Sequence, residues 1–360
     1  MSVWQAETID QVQEMVLQAS RLRPRGAWTK PALSTPLDGE TVLELTKLRG
    51  VTEYTPQEFT FTALAGTPLK EVEALLGQNS QHLPFDPPFA ERGATLGGTV
   101  AAGLSGPGRY QHGGIRDFIL GVRYVDGHGR LVKAGGKVVK NVAGFDLPKL
   151  MVGSLGRLGV LVELTFKVFP RPEGYATLRL SCSGWQAARE ALEKLLVCPL
   201  DVHAIDLLPE GEGVHLYADL AGMRKSLPAR LSQMKELLGG GSILGEAEAA
   251  GFWREQVEFT WAPQGWSLVK VPVTPRRIPE LEARLAKLEC MRRYSGGGQV
   301  AWIALPEPPA ILEEMFLGLG LSALALIGPA GQARLGVRNG EPLEKRVKSA
   351  LDPMNRFGGG

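Results

Sequence analysis

The densest signal for chemistry lies in residues 84–172, where Gly93, Gly97, Gly98, Gly103, Gly106 and Gly108 accompany Thr95, Thr99 and Ser105. Bare glycines let main-chain N–H groups approach an anion closely, and the hydroxyls add donors. A helix opening over 97–104 would present its N-terminus to a phosphate. A second small-residue bend, Pro24, Arg25, Gly26, Ala27, Trp28, Thr29 and Lys30, follows a short strand and could grip the same anion from the other side. Two such bends about seventy residues apart suit a diphosphate held between two subdomains. The alternative is that these glycines only turn the chain. Familiar nucleotide fingerprints do not fit. Gly153, Gly156 and Gly159 have the wrong spacing for GxGxxG, and Lys137 after Gly136 is followed by Val138 rather than Ser or Thr. Any dinucleotide site is therefore neither Rossmann nor P-loop.

Other reactive side chains form no constellation. His203 and His215 stand at alternating positions of two strands, as satisfied core or edge histidines usually do; His82, His112 and His128 fall in loops. His112, beside the glycine-rich run, could touch a cofactor or simply face solvent. No Ser/His/Asp trio or acid pair suggests itself, so no catalytic residue is assigned. Cys182, Cys198 and Cys290 are far apart and form no CxxC, which leaves neither a zinc site nor an iron–sulfur cluster. No metal ligand set is expected.

The elements that must position these bends read as α+β. Residues 41–47 and 59–65 alternate as strands, and Gly66, Thr67 and Pro68 open a helix to Leu76 with Thr67 as N-cap and Pro68 at its first position. Residues 119–124 and 131–133 flank an Asp126-Gly127-His128-Gly129 turn as a hairpin, and 158–169 is the longest strand signal. Pro170, Arg171 and Pro172 mark a boundary. Beyond it, strand 176–180, helix 185–196 and strands 203–207 and 214–220 make one unit. Strand 266–273, helix 279–290, strand 300–305 and helix 310–317 make a second, similar in pattern. An antiparallel sheet with helices on one face is the expected architecture. The domain division is 1–170, 173–340 and a C-terminal helix and tail, 341–360, that could return to the first part. Phe252, Trp253, Trp261 and Trp266 supply either core packing or a docking surface.

Composition narrows the function. The 360 residues carry 40 Lys and Arg against 38 Asp and Glu, a net charge of +2, which provides no basic footprint for nucleic acid and no polybasic membrane patch. An apolar content of 44% with 22% charge fits a folded protein. No secretion signal opens the chain and no apolar run reaches about eighteen residues, so a cytoplasmic protein is expected.

Residues 84–172 strongly resemble the PCMH-type FAD domain of the vanillyl-alcohol oxidase family, and within it the FAD-binding E subunits of bacterial glycolate oxidases. The resemblance rests on Asp86-Pro87-Pro88, on Ala94, Thr95, Gly97 and Gly98, on Gly103, Leu104, Gly106 and Pro107, and on Ile115-Arg116-Asp117-Phe118 with Leu120 and Gly121. It continues through Lys140-Asn141-Val142-Ala143-Gly144-Phe145-Asp146-Leu147 and the stretch from Leu150 to Val160. Residues 25–30 and 65–69 match more weakly, and the half after Pro172 matches mainly in size and pattern.

That resemblance implies two α+β subdomains around non-covalent FAD, followed by a smaller α+β domain with an antiparallel sheet. In the family, the loop matching residues 24–30 and the run matching Thr95, Leu96, Gly97, Gly98 and Thr99 hold the pyrophosphate with main-chain amides. Gly113, Gly114, Arg116, Asp117 and the strand entry Gly159, Val160 and Leu161 would line the nucleotide side, and Pro87, Ala102, Gly103 and Gly106 complete the implied set. Arg116 would add a charge or pair with Asp117; Lys140 and Asp146 read as packing residues. Relatives that attach FAD covalently use a histidine in the first loop or a cysteine near the second, and this chain has neither. The HxGDGNxH run of hydroxy-acid-oxidising members is missing too. Residues 351–358 depart from the usual Phe-Asn-Pro-Gly-Arg ending, so closure of the tail over the flavin ring is not carried across. The implied role is an FAD-holding subunit of a glycolate (2-hydroxy acid) oxidase or dehydrogenase complex, with a catalytic sister flavoprotein and an iron–sulfur subunit, reaching membranes only through partners. The alternatives are a self-sufficient flavin oxidoreductase acting on another small alcohol or acid, and an assembly subunit without cofactor.

Overall fold

In the computed structural model, residues 2–136, 145–211, 213–331 and 333–358 are described. Strands Ser2–Gln5, Thr41–Glu44 and Leu22–Arg25 form a parallel sheet with Thr41–Glu44 central. Helix Ile9–Gln18 covers it, buries Val12 and Val16, and is fixed at its start by a capping box between Thr8 and Gln11. This small sheet aims the end of Leu22–Arg25, and with it the bend at 26–30.

A five-stranded antiparallel sheet follows, in the order Val51–Thr55, Thr60–Leu64, Val160–Lys167, Ile119–Val125 and Leu131–Gly135. The expected hairpin is present, its turn held by Asp126 Oδ1, which accepts from His128 N at 2.9 Å and Arg130 N at 3.0 Å. Phe61, Leu164 and Phe166 of this sheet pack with Val72 of helix Leu69–Gly77 and Val100 of helix Leu96–Ala102. One local expectation fails: helix Leu69–Gly77 is capped by Pro68, not Thr67. The fully buried Thr67 hydroxyl instead donates to Leu64 O at 2.7 Å and accepts from Gly50 N at 2.9 Å, because the neighbouring loop offers it closer partners than the helix does.

The second half is a structural duplication. Strand Gly174–Cys182, helix Trp185–Leu196, strands Val202–Glu210 and Gly213–Gly222, helix Leu227–Leu238 and strand Ser242–Ile243 form one βαββαβ unit. Strand Ser267–Pro272, helix Ile278–Leu285, strands Met291–Ser295 and Val300–Leu305, helix Glu313–Leu319 and strand Ser322–Ile327 form the other. Within each unit the strands lie in the order 4-1-3-2, and the two second strands pair at Leu207 and Tyr294 to join both units in one nine-stranded antiparallel sheet, edged by Arg334–Gly336. The sequence pattern shows the repeat but not helices Leu227–Leu238 and Glu246–Glu258 or strands Met291–Ser295 and Ser322–Ile327. The helix expected over 279–290 stops at Leu285, and the one expected over 310–317 starts as the 3-10 turn Pro309–Leu312.

Period-two burial assigns the faces of this sheet. Val269, Ala301, Ile303 and Leu305 pack with Leu192, Leu231, Leu281 and Phe316 of the covering helices, while Leu268, Val300, Trp302 and Ala304 turn to the core of the five-stranded sheet. Of the aromatic cluster Trp261 is buried, while half-buried Phe252 stacks on Tyr217 at 3.9 Å and half-buried Trp253 donates from Nε1 to Thr177 Oγ1 at 3.0 Å.

After helix Glu341–Leu351 the tail runs back to the N-terminal sheet. Buried Asp352 accepts from Arg356 N and Phe357 N at 3.0 and 2.9 Å, Leu22 N donates to Arg356 O at 2.6 Å, and Phe357 is fully buried beside Val16 and Leu43. Phe357→Leu is expected to cost about 1–2 kcal/mol in chemical unfolding, because a buried ring is replaced by a smaller side chain. An unchanged transition would mean that the tail is not docked.

Candidate functional site

Strand Leu22–Arg25 ends at the sheet edge and the chain curls through residues 26–30, with Trp28 in the left-handed region at φ 60°. Such a curl turns successive N–H groups toward one point. Among the described residues, none of the N–H groups of Gly26, Ala27, Trp28, Thr29 and Lys30 donates to a main-chain or side-chain acceptor. The Trp28 ring is held between guanidinium groups, Arg23 at 5.1 Å and Arg25 at 5.5 Å from its centre. Arg23 and Arg25 are themselves paired with Glu40, at 2.8 Å, and Glu44. Lys30 Nζ donates to Thr29 Oγ1 at 2.8 Å and lies 5.4 Å from the Phe89 ring centre; burial pulls its ammonium down to about 8.

This bend forms one wall of a cleft with an empty volume of about 780 Å³. All seven residues from Pro24 to Lys30 line it, and Thr95, Gly97, Gly98, Ala102 and Gly159 form the facing walls. Close approach is why glycine stands at two of these points. A Cβ on Gly26 would lie 2.4 Å from Thr95 Oγ1, and one on Gly97 would lie 2.7 Å from Ala65 Cβ. Leu33, Leu45, Ala65, Ala101, Leu155 and Leu161 supply apolar surface. All of these but Leu161, which the resemblance implies, make up with Ser34 and Gly156 the lining that sequence reasoning missed. Gly156 carries a signal in its spacing from Gly153 and Gly159; the apolar residues look like any core residue in sequence.

The second predicted donor run behaves differently. Helix Leu96–Ala102 is capped by Thr95, whose Oγ1 accepts from Gly98 N at 3.2 Å. Leu96 N donates to Thr67 O at 2.9 Å, Gly97 N to Ala65 O at 2.7 Å, and Thr99 N to Thr95 O at 2.9 Å. These amides are satisfied within the fold, so 95–99 contributes wall and the free donors come from 26–30. Leu96 and Thr99 are buried in the core. Thr95→Ala is expected to remove about 1 kcal/mol of stability, the usual value of an N-cap, read as a lower melting temperature; no shift would mean the cap is idle.

The remaining predicted residues do not line this cleft. Gly106 and Gly108 pack on Asp86, whose Oδ2 accepts from Gly108 N at 2.7 Å, and Pro87 is buried beside it. Gly103 ends helix Leu96–Ala102 at φ 64° against Gly153. Gly113 and Gly114 wrap Asp117, whose Oδ2 accepts from Gly114 N at 2.8 Å and caps the turn Ile115–Phe118. Asp117 is thus a local cap. Arg116 lines a separate cavity with Lys149 and Glu344, and Val160 points into the core of the parallel sheet. Asp146 caps helix Leu147–Met151, accepting from Lys149 N at 3.2 Å; Lys140 lies outside the described residues.

Histidines 82, 112 and 203 gather away from the cleft, where the two halves meet. The rings of His112 and His203 are 5.6 Å apart, and His203 Nδ1 is 3.0 Å from Gln111 Oε1. Burial pushes His82 and His203 down to about 4, so both are neutral at pH 7. His215 lies apart, bonded to Ser181 and Glu210. Among the described residues no His, Cys, Asp and Glu group could hold a metal ion.

The cleft fits FAD on its own geometry: unpartnered N–H groups at one bend for the pyrophosphate, a wall that glycine keeps open, and apolar flanks for rings. When bound, the flavin supplies the redox chemistry; the chain places it and excludes water. Comparison with known proteins agrees. Residues 2–135 match the FAD binding domain family. The chain is 34% identical over 357 residues, 98% of its own length and 95% of the relative's, to glycolate oxidase subunit GlcE of Escherichia coli. It is 28% identical over 188 residues to glycolate oxidase subunit GlcD of Bacillus subtilis, a match covering 52% of this chain and 40% of that one. Alkyldihydroxyacetonephosphate synthase superposes with a TM-score of 0.74 over 98% of this chain and 74% of its own, at 15% identity, a likeness of fold alone. Near-full-length identity at this level, together with a donor-lined cleft that fits FAD, places the chain in the family of the glycolate oxidase subunit GlcE.

Proposed function

We propose that this chain is the FAD-holding subunit of a glycolate (2-hydroxy acid) oxidase or dehydrogenase complex, working beside a catalytic sister flavoprotein and an iron–sulfur subunit. The observation that carries the reading is the bend at 26–30, whose free N–H groups face the cleft shared with Thr95, Gly97 and Gly98. Among the described residues, no His, Asp or Glu lines that cleft. A flavin held there without a His, Asp or Glu beside it suits electron relay or assembly better than abstraction of a hydroxyl proton. In this reading 1–170 holds the flavin, 173–340 presents its helical face to partners, and 341–360 ties the chain back to the N-terminal sheet. No helix among the described residues is long and apolar enough to cross a membrane. In this reading the complex is cytoplasmic and meets a membrane only through its partners.

The test is anaerobic spectroscopy. The chain purified alone is expected to carry flavin absorbance that glycolate leaves unchanged, and to lose it when the sister flavoprotein is added with glycolate. Rapid bleaching of the isolated chain by glycolate would make it a self-sufficient oxidoreductase. Absence of flavin after gentle purification, with no rebinding of added FAD, would make it a cofactor-free assembly subunit.

A further inference from the structure

A second cavity, with an empty volume of about 1910 Å³, opens where the face of the first βαββαβ unit meets the FAD-binding half, and it shares no lining residue with the flavin cleft. Leu227, Leu231, Val257 and the Trp253 indole supply apolar lining. Among them stand the carboxyl groups of Glu73, Asp86, Asp219 and Glu258. Asp219 is 2% exposed and its Oδ1 accepts from Thr177 Oγ1 at 2.7 Å. Glu258 is 4% exposed; its Oε1 accepts from Glu91 N at 3.1 Å, while its buried Oε2 has no hydrogen-bond partner.

None of these four carboxyls is in an ion pair among the described residues, whereas Glu91 and Glu246 on the same lining pair with Lys70 and Arg224. Arg171 and Arg254 also reach the cavity without matching the four acids in number. Burial, with repulsion from Glu258 and Asp86 added at Glu73 and from Asp86 at Asp219, pushes both carboxyls up to about 7. Acidic groups that a neighbouring cation would hold in the ionised form, set beside apolar surface, select a ligand that is cationic at one end and apolar at the other. A bare metal ion does not meet the description, since no described group of His, Cys, Asp and Glu is arranged to hold one.

We propose that this cavity binds an amphipathic organic ammonium compound, its apolar body against Trp253 and the leucine wall and its ammonium group among Asp219, Asp86 and Glu258. The assignment is independent of what the flavin cleft does. Calorimetric titration of the full chain, with its flavin content measured beforehand, tests it with two probes of matched body, 2-phenylethylamine and 3-phenylpropionate. The amine is expected to bind saturably with one site per chain and the carboxylate to bind more weakly or not at all. Asp219→Asn, which preserves shape, is expected to weaken the amine by about tenfold or more while flavin content stays unchanged. Glu258→Gln is expected to act in the same direction and serves if the first variant does not fold. Tighter binding of the carboxylate, no saturable amine binding, full affinity in the variants, or release of flavin by the amine would each overturn the assignment.

Discussion

Replacing Gly26 with valine is expected to weaken FAD binding by about a thousandfold while leaving the fold intact. The backbone at Gly26 is not in the left-handed region, so the effect is one of space. A Cβ there would lie 2.4 Å from Thr95 Oγ1, and the branched methyl groups would stand among the unpartnered N–H groups of the bend. A diphosphate held back from that surface loses at least two charge-assisted hydrogen bonds. At about 1.5–3 kcal/mol each, the loss amounts to roughly 3–6 kcal/mol, or two to four orders of magnitude in Kd. The flavin-to-protein absorbance ratio after gel filtration and a fluorescence titration with FAD measure it. Gly77→Ala is the control, because a Cβ at that helix end meets nothing within 4 Å. Equal flavin content in Gly26→Val and the control would show that the pyrophosphate is held elsewhere.

Asp206→Asn is expected to make the protein more stable at pH 9 by about 4 kcal/mol and to change little near pH 4. Asp206 is fully buried in strand Val202–Glu210, at the seam between the two βαββαβ units. It meets one side-chain partner, Ser295 Oγ, which donates to Oδ2 at 2.7 Å across that seam. Burial pushes its carboxyl up to about 7 from an ordinary value of 3.8. A raised value means that the protonated acid is the form the fold favours. Its contribution is therefore fully present below about pH 4 and is lost as pH rises through about 7. Three units at about 1.4 kcal/mol each set the magnitude. Asparagine keeps the shape and the acceptor for Ser295 but never ionises. Melting curves from pH 5 to 9 should fall for the wild type and fall less for the variant, with a residual slope from Asp219, which is raised in the same way. Parallel curves would mean that Asp206 is ionised in the fold throughout.

Local patterns were legible wherever the physics is local. Alternating runs fix the strands Val160–Lys167 and Val300–Leu305, helix Trp185–Leu196 matches its apolar spacing residue for residue, and the Asp-Gly-His-Gly turn makes the hairpin between Ile119–Val125 and Leu131–Gly135. The motifs around Thr95 and Gly97 pointed to the family, and the bend at 24–30 lies on the cleft in its entirety. Thr67 was misread as a cap because a threonine before a helix has the same appearance whether its hydroxyl serves the helix or a neighbouring strand.

The roles of the other glycines were beyond the reach of sequence, since a glycine beside an anion and a glycine beside an aspartate side chain obey one requirement, room for close approach. Gly106 and Gly108 make room for Asp86, and Gly113 does so for Asp117. By itself the sequence determined the α+β class, the small-residue bend at 24–30 and the repeated pattern of the second half, because these follow from spacing along the chain. Only the tertiary structure decided which amides remain free. Those of Leu96 and Gly97 are taken by Thr67 and Ala65, carbonyls about thirty residues distant in sequence, so the donors left to the cleft are those of residues 26–30. Whether a hydrogen-bonding group is available depends on what the fold brings beside it, and no local pattern records that.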